Sequence, residues 1–282
     1  MNNFIKIAVD AMGGDDAPNK IIDGIVHHNK NSENIFYKIF GNKEIIEPKI
    51  SKKNISKEKY EIIHTEDKVE GKDSPLVAAK RGKKTSMWLS IESVKNNTSD
   101  IIISAGNTGA LFVISKLNLK MIENIDKPAL SGLWPNKNGM NIVLDLGANI
   151  ECSEKNLIDF SLMGSALYLS LFNNDTPKVA LLNIGSEELK GNSIIKNTFQ
   201  KLNELKNPIY EFHGFIEGNH IMDGKVNVIV TDGFTGNVAL KTAEGTANFI
   251  TSELKKTLSS NILGKISSFL NLRNIKAFKR KI

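Results

Sequence analysis

The sequence predicts an α/β domain built on a largely parallel sheet, and three observations predict it. Short runs of β-branched and aliphatic residues alternate with longer stretches of helical spacing. The runs are apolar on both sides of the pleat, as in IIIS at 101–104, which suits strands covered by helices on both faces. Glycine-rich polar turns follow the strand ends and open the next helical stretch.

Taken in order, Ile5–Asp10 (IKIAVD) reads as a strand, and helical spacing follows at Ile21, Ile22, Ile25 and Val26. Ile35–Phe40 and Tyr60–His64 read as strands, with a polar stretch between them that holds a short helix. Leu76–Val94 reads as one helix with a basic face of Lys80, Arg81, Lys83 and Lys84. After the strand at 101–104 come Ala129–Leu133, Ile142–Leu146, Val179–Ile184 and Val226–Thr231. Ala129–Leu146 also reads as a hairpin across Asn136–Asn141, which would add antiparallel pairing. Helical patterns lie at Leu157–Leu171, Ile194–Leu205 and Val238–Leu258.

The stretch from Ile101 to Leu111, IIISAGNTGAL, is the clearest strand–turn–helix unit. Backbone N–H groups at a helix start suit an anion, and Asn107 and Thr108 add neutral hydrogen-bonding capacity. Similar turns follow Asp10 (AMGGDD, with Gly13 and Gly14), Asp145 (LGANIE), Asn183 (IGSEELKGN) and Asp232 (GFTGN). In open parallel sheets such ends share one edge, where ligands bind. Glycine also serves βα turns that bind nothing, and carboxylates at strand ends more often organise loops than catalyse.

At 282 residues, with 40% hydrophobic and 24% charged residues, the chain can form one large domain or two modest ones. Its net charge of +6 is concentrated: from Phe249 onward six Lys and two Arg face one acid, Glu253, so the first 248 residues sum to −1. No nucleic-acid-reading module accompanies that charge, so no nucleic-acid partner is expected. The single Cys152 excludes a disulfide framework and fits a reducing, cytoplasmic setting, and the N-terminus lacks the pattern of a signal peptide. No G-x-G-x-x-G, Walker A or G-x-S-x-G motif is present, and the five histidines do not cluster at metal-ligand spacing. Neither cofactor nor metal is expected. His213 and His220 read as solvent-facing, and Cys152 lacks a histidine partner that would make it a nucleophile.

Seven segments stand in an order that resembles a known family: IAVDAMGGD at 7–15, RGKKTSM at 81–87, SAGNTGAL at 104–111, IDKPAL at 125–130, LDLGAN at 144–149, LLNIGSEELKGN at 181–192 and DGFTGNVALKTAEG at 232–245. The chain resembles the bacterial phosphate acyltransferases of the PlsX type along nearly its whole length. The resemblance implies a Rossmann-like α/β/α sandwich akin to isocitrate and isopropylmalate dehydrogenases, and a homodimer. It implies formation of acyl-phosphate from acyl-(acyl carrier protein) and inorganic phosphate in phospholipid biosynthesis.

Phosphate is its own nucleophile in that reaction and a thiolate leaves readily, so no Ser or Cys nucleophile is needed. One cation would neutralise phosphate. Lys190, in GSEELKGN, is the first candidate, and Lys241, one turn into the helix after DGFTGN, is the second unless it pairs with Glu244. Asn107, Thr108 and Asn237 are candidate donors to phosphate or oxyanion. Gly13, Gly14 and Asn192 are placed with the phosphate-binding turns, and Asp232 and Asp10 orient loops or lysines.

Three departures from the family pattern stand out: Asp16 where a histidine is usual, Asn219 where an arginine is usual, and an end at Ile282, before the family's last strand and helix. A phosphotransacetylase acting on a coenzyme A thioester is one alternative reading, and the early end makes an inactive carrier-protein or membrane-binding scaffold the other. Residues 1–248 are expected to form the catalytic domain. Residues 249–282 are expected to form a basic amphipathic helical segment, with Leu254, Leu258, Ile262, Ile266, Phe269 and 275–278 on its apolar stripe. Its expected contacts are a second copy, the acidic acyl carrier protein, and an anionic membrane surface or a membrane-bound glycerol-phosphate acyltransferase.

Overall fold

A computed structural model describes residues 4–172, 176–205, 207–261, 264, 267 and 269–274. The chain divides into two compact units, Met1–Glu123 and Asn124–Ile282.

The first unit runs β1 (Ile5–Asp10), α1 (Asn19–Asn29), β2 (Ile35–Gly41), α2 (Lys43–Ile50), β3 (Tyr60–His64), α3 (Pro75–Arg81), α4 (Ser86–Lys95), β4 (Ile101–Ser104) and α5 (Thr108–Leu119). Its four strands are all parallel, in the order β3-β2-β1-β4. Alternate residues feed two cores. Ile7, Val9, Tyr37 and Ile39 pack with Ile22, Ile25, Ile46 and Ile50 of α1 and α2, while Ile102 packs with Met87, Ile91, Ala110 and Ile114 on the other side.

The second unit runs β5 (Ser131–Asn136), β6 (Gly139–Leu144), α6 (Glu154–Phe172), β7 (Lys178–Asn183), α7 (Ser193–Glu204), β8 (Glu211–Glu217), β9 (Val228–Val230) and α8 (Gly233–Leu258). Its sheet has the order β5-β6-β9-β7-β8, and among the described residues only the β5/β6 hairpin is antiparallel. Leu144, Val230 and Leu181 are register partners and face α6 and α7, in a core with Leu157, Phe160 and Leu202. Their neighbours Val143, Ile229 and Ala180 face the other way, toward Ala239, Leu240 and Ala243 of α8. The expected mainly parallel α/β/α architecture is therefore present, carried by two sheets, one in each unit.

Several expectations are corrected in detail. The helix read over Leu76–Val94 is two helices. Ser74 and Thr85 each cap a separate start, and Gly82, at φ +123°, breaks the run between them. The hairpin reading of Ala129–Leu146 is the observed one, and its turn is Lys137–Asn138. A strand with no expectation, β8, edges the second sheet, and the strand read over Val226–Thr231 is shortened to Val228–Val230. His220, expected to face solvent, has a side chain 44% exposed, and its Nδ1 also lies 2.7 Å from Asp223, whose other partner is Lys137 at 2.7 Å. Together Lys137 and then His220 hold the Asp223 carboxyl down at about 2.

Beyond its first three turns α8 is largely exposed, and Phe249 (66%), Ile250 (57%) and Leu254 (45%) present apolar surface there. The stripe and basic residues expected at 262, 265, 266, 275–278 and 279–281 lie outside the described residues. No helix among the described residues is long and apolar enough to cross a membrane.

Candidate functional site

In both units the polar residues at strand ends do the same local work. An N-cap side chain accepts a helix N–H that has no partner within the helix. Asn107 accepts from Ala110 N at 3.0 Å to open α5, Asn192 accepts from Ile195 N at 2.9 Å to open α7, and Asp232 accepts from Thr235 N at 2.8 Å to open α8.

In the first unit Asp10, only 1% exposed, ends β1 and ties its loop to two others. Its carboxylate accepts from Ser86 Oγ at 2.6 Å and Ser104 Oγ at 2.7 Å, so it organises loops. Gly13 and Gly14 allow the β1 loop to press on the loop after β4. A Cβ on Gly13 would lie 3.0 Å from the backbone of Gly106, and one on Gly14, at φ +93°, would lie 2.5 Å from the Ala105 carbonyl oxygen. Both amide protons of Asn107 are engaged, donated to Gly71 O at 3.1 Å and Asp73 O at 2.9 Å. That side chain is a three-way clamp on its own loop, with no donor left for a ligand. Thr108 opens α5 and is exposed.

In the second unit the ends of the parallel strands β6, β9 and β7 lie along one edge. Asp145, fully buried just past β6, anchors that edge. It accepts from Leu130 N, Gly147 N, Ala148 N and Asn149 N, at 2.7 to 3.2 Å, and from the Asn149 side-chain amide at 2.7 Å. A buried carboxylate met by this many donors is a stable loop anchor. Asn149 in turn donates to Pro128 O at 2.7 Å and accepts Gly233 N at 2.7 Å, which joins the start of α8 to the same loop. Asn237 packs beside Gly147.

Around this edge lies a hollow of about 920 Å³. One part of its wall is apolar (Ile150, Leu157, Ile194, Ile195, Phe234), and the rest carries Asp126, Lys127, Glu151, Asn192, Asp232 and Thr235. Of the residues singled out from sequence, Asn192 and Asp232 line it. Lys190, Asn237 and Lys241 are not on the lining. Lys190 is exposed on the loop leading to Asn192. Lys241 is 2.8 Å from Glu244 in an ion pair, the alternative its spacing allowed. Lys127 is the lining residue that sequence reading passed over, although it stands in the IDKPAL segment.

Cys152 also lines the hollow. Burial pushes its thiol up to about 11 and Asp145 adds to that, against the smaller opposing effects of Gly233 N–H and Lys127. A neutral thiol at physiological pH is a poor nucleophile. Among the described residues no group of three or more His, Cys, Asp or Glu side chains is placed to hold a metal ion.

A parallel-sheet α/β/α protein with a half-apolar, half-polar hollow at its strand ends belongs to the class that binds small ligands at a sheet's carboxyl edge. The sequence profile of a family described as "Fatty acid synthesis protein" matches residues 5–282. A phosphate acyltransferase of Pelagibacter ubique is 69% identical over 282 residues, covering 100% of this chain and 84% of its own length. Those of Rhodospirillum rubrum and Ehrlichia ruminantium are 40% and 42% identical over 98% of this chain, and 80% and 82% of their own lengths are covered. Among solved structures, a phosphotransacetylase from Streptococcus pyogenes has a TM-score of 0.63 at 16% identity, covering 86% of this chain and 82% of that one. The EutD phosphotransacetylase from Staphylococcus aureus has a TM-score of 0.59 at 15% identity, covering 88% and 83%. At that identity the similarity shows the fold, which is Rossmann-like. The chain belongs to the phosphate acyltransferase family of fatty acid synthesis proteins, and it is an acyl-group transferase.

Proposed function

We propose that this protein transfers a fatty acyl group from the thioester of an acyl carrier protein to inorganic phosphate, at the start of phospholipid synthesis. The observation that carries the reading is the divided wall of the hollow. Ile150, Ile194, Ile195 and Phe234 suit an acyl chain, and Lys127 and Asn192 stand beside them to meet a charged or polar head.

In this reading a phosphate oxygen attacks the thioester carbonyl carbon. The new C–O bond forms as the C–S bond breaks, and the departing thiolate takes up, through solvent, the proton that the attacking phosphate sheds. Holding both reactants together can supply ~7–11 kcal/mol of the barrier. Each donor aimed at the developing oxyanion is worth about 3 kcal/mol. Asp232 and Asn192 serve by fixing the first turns of α8 and α7 beside the hollow. Lys190, exposed and with no ion pair among the described residues, is proposed as a cation of the neighbouring loop, and Asn237 as a support for the Asp145 loop. Lys241, held by Glu244, has the least to offer phosphate. In the first unit Asp10, Gly13, Gly14, Asn107 and Thr108 shape the loops that end β1 and β4.

A homodimer and contact with an anionic membrane belong to the same proposal. They are supported by the exposed Phe249, Ile250 and Leu254 of α8 and by the basic charge that follows. Co-sedimentation with anionic vesicles that weakens as salt rises is expected, and indifference to both lipid charge and salt would count against it. The enzymatic reading is tested by trapping product with hydroxylamine after incubating the chain with acyl-(acyl carrier protein) and phosphate. Acyl hydroxamate that depends on phosphate is expected. None from folded protein would remove the reading.

A further inference from the structure

We infer that Lys127 is the anion-binding residue of the hollow and that it sets the affinity for phosphate. The inference rests on the reading just given, since it assigns phosphate to the hollow of the second unit. Among the described residues Lys127 is the only basic one on that lining, which carries the acids Asp126, Glu151 and Asp232. A phosphate dianion entering such a wall needs a cation there.

The acids are partly accounted for by other groups. Asp126 is 3.1 Å from Lys155, and both Asp232 oxygens are held by Thr235 at 2.8 Å. The hydroxyl donors are engaged as well: Thr235 Oγ1 gives its proton to Asp232, and Ser153 Oγ gives its own to Asn156 Oδ1 at 3.0 Å. Lys127 differs. Its Nζ donates to a neutral acceptor, Glu151 O, at 2.9 Å, and among the described residues it forms no ion pair. An ammonium has three donors, so two remain for a ligand. Among the described residues the side-chain amides of Asn192, whose oxygen caps α7, and of Asn156, whose oxygen accepts from Ser153, also line this wall and donate no hydrogen bond.

The backbone behind Lys127 is held firmly. Pro128 O takes the Asn149 amide and Leu130 N gives its proton to Asp145, so the segment that bears the lysine is fixed to the buried carboxylate. The lysine thus lines the hollow from an anchored segment, which lowers the cost of ordering it around an anion.

The test uses the full chain and two variants, Lys127→Gln and Lys127→Arg, with two measurements. In the acyl-phosphate assay, Lys127→Gln should raise KM for phosphate about 10- to 100-fold and leave KM for the acyl thioester near wild type, and Lys127→Arg should recover most of the loss. In thermal melts, inorganic phosphate should raise the Tm of wild type and of Lys127→Arg but not that of Lys127→Gln. Wild-type phosphate KM and an unchanged phosphate-induced Tm shift in Lys127→Gln would overturn the inference. If wild type makes no acyl phosphate yet phosphate stabilises it and not Lys127→Gln, the anion site stands and the proposed reaction falls.

Discussion

Gly236 stands directly against Asp145: a Cβ on Gly236 would lie 1.9 Å from the Asp145 carbonyl oxygen. The first turn of α8 therefore seats on the loop that the Asp145 carboxylate organises, and the Gly233 N–H to Asn149 O bond closes the same contact. Whatever displaces α8 also displaces Asp232, Phe234 and Thr235 from the wall of the hollow.

Gly236→Ala should for that reason destabilise the protein by about 1–3 kcal/mol, since rigid backbone cannot yield as a flexible side chain would. Gly245→Ala, in the same helix with nothing within 4 Å of the new methyl, should instead stabilise it by about 0.5–1 kcal/mol. Urea unfolding of the two variants beside wild type is the check, and equal effects would contradict the close seating of α8.

Asn107 separates loop ordering from ligand contact. Asn107→Ala removes the cap on α5 and the bonds to Gly71 and Asp73, so a loss of about 1–2 kcal/mol in stability is expected. KM for phosphate should stay near the wild-type value once the variant is folded. A large rise in that constant with intact stability would return Asn107 to the role of phosphate donor that its motif first suggested.

The buried thiol has a pH signature of its own. With its pKa raised to about 11, Cys152 stays protonated in the folded chain above the pH at which the unfolded thiol ionises. The unfolded state then binds fewer protons, so stability should fall as pH rises from roughly 8.5 toward 11, by at most about 1.4 kcal/mol per unit. Cys152→Ser should flatten that slope and leave acyl-phosphate formation intact. Denaturant titrations across the alkaline range would measure it, and rapid alkylation of native protein at neutral pH would contradict it.

The strands were legible where aliphatic residues ran together, as at 7–9, 142–144 and 179–182, because burial there leaves a plain local signal. Strand β8 escaped notice because EFHGFIE mixes charge, His213 and Gly214 with its apolar residues. Asn107, Asn192 and Asp232 stood out correctly as polar residues at strand ends. Capping and anion binding call for the same residue types at the same place, so sequence could not separate the two roles. Lys127 stood in the IDKPAL segment, but nothing local marked it as part of a binding wall. Its position depends on a wall built from 126–127, 150–157, 192–195 and 232–235, segments that meet only in the folded second unit.

The most direct measurement follows radiolabelled phosphate into product, with the purified chain given acyl-(acyl carrier protein) in one arm and acetyl-coenzyme A in the other. Label should enter acyl phosphate with the carrier-protein thioester as the preferred donor, saturating in phosphate. No labelled acyl phosphate from a folded, monodisperse protein, or transfer from acetyl-coenzyme A alone, would contradict the account.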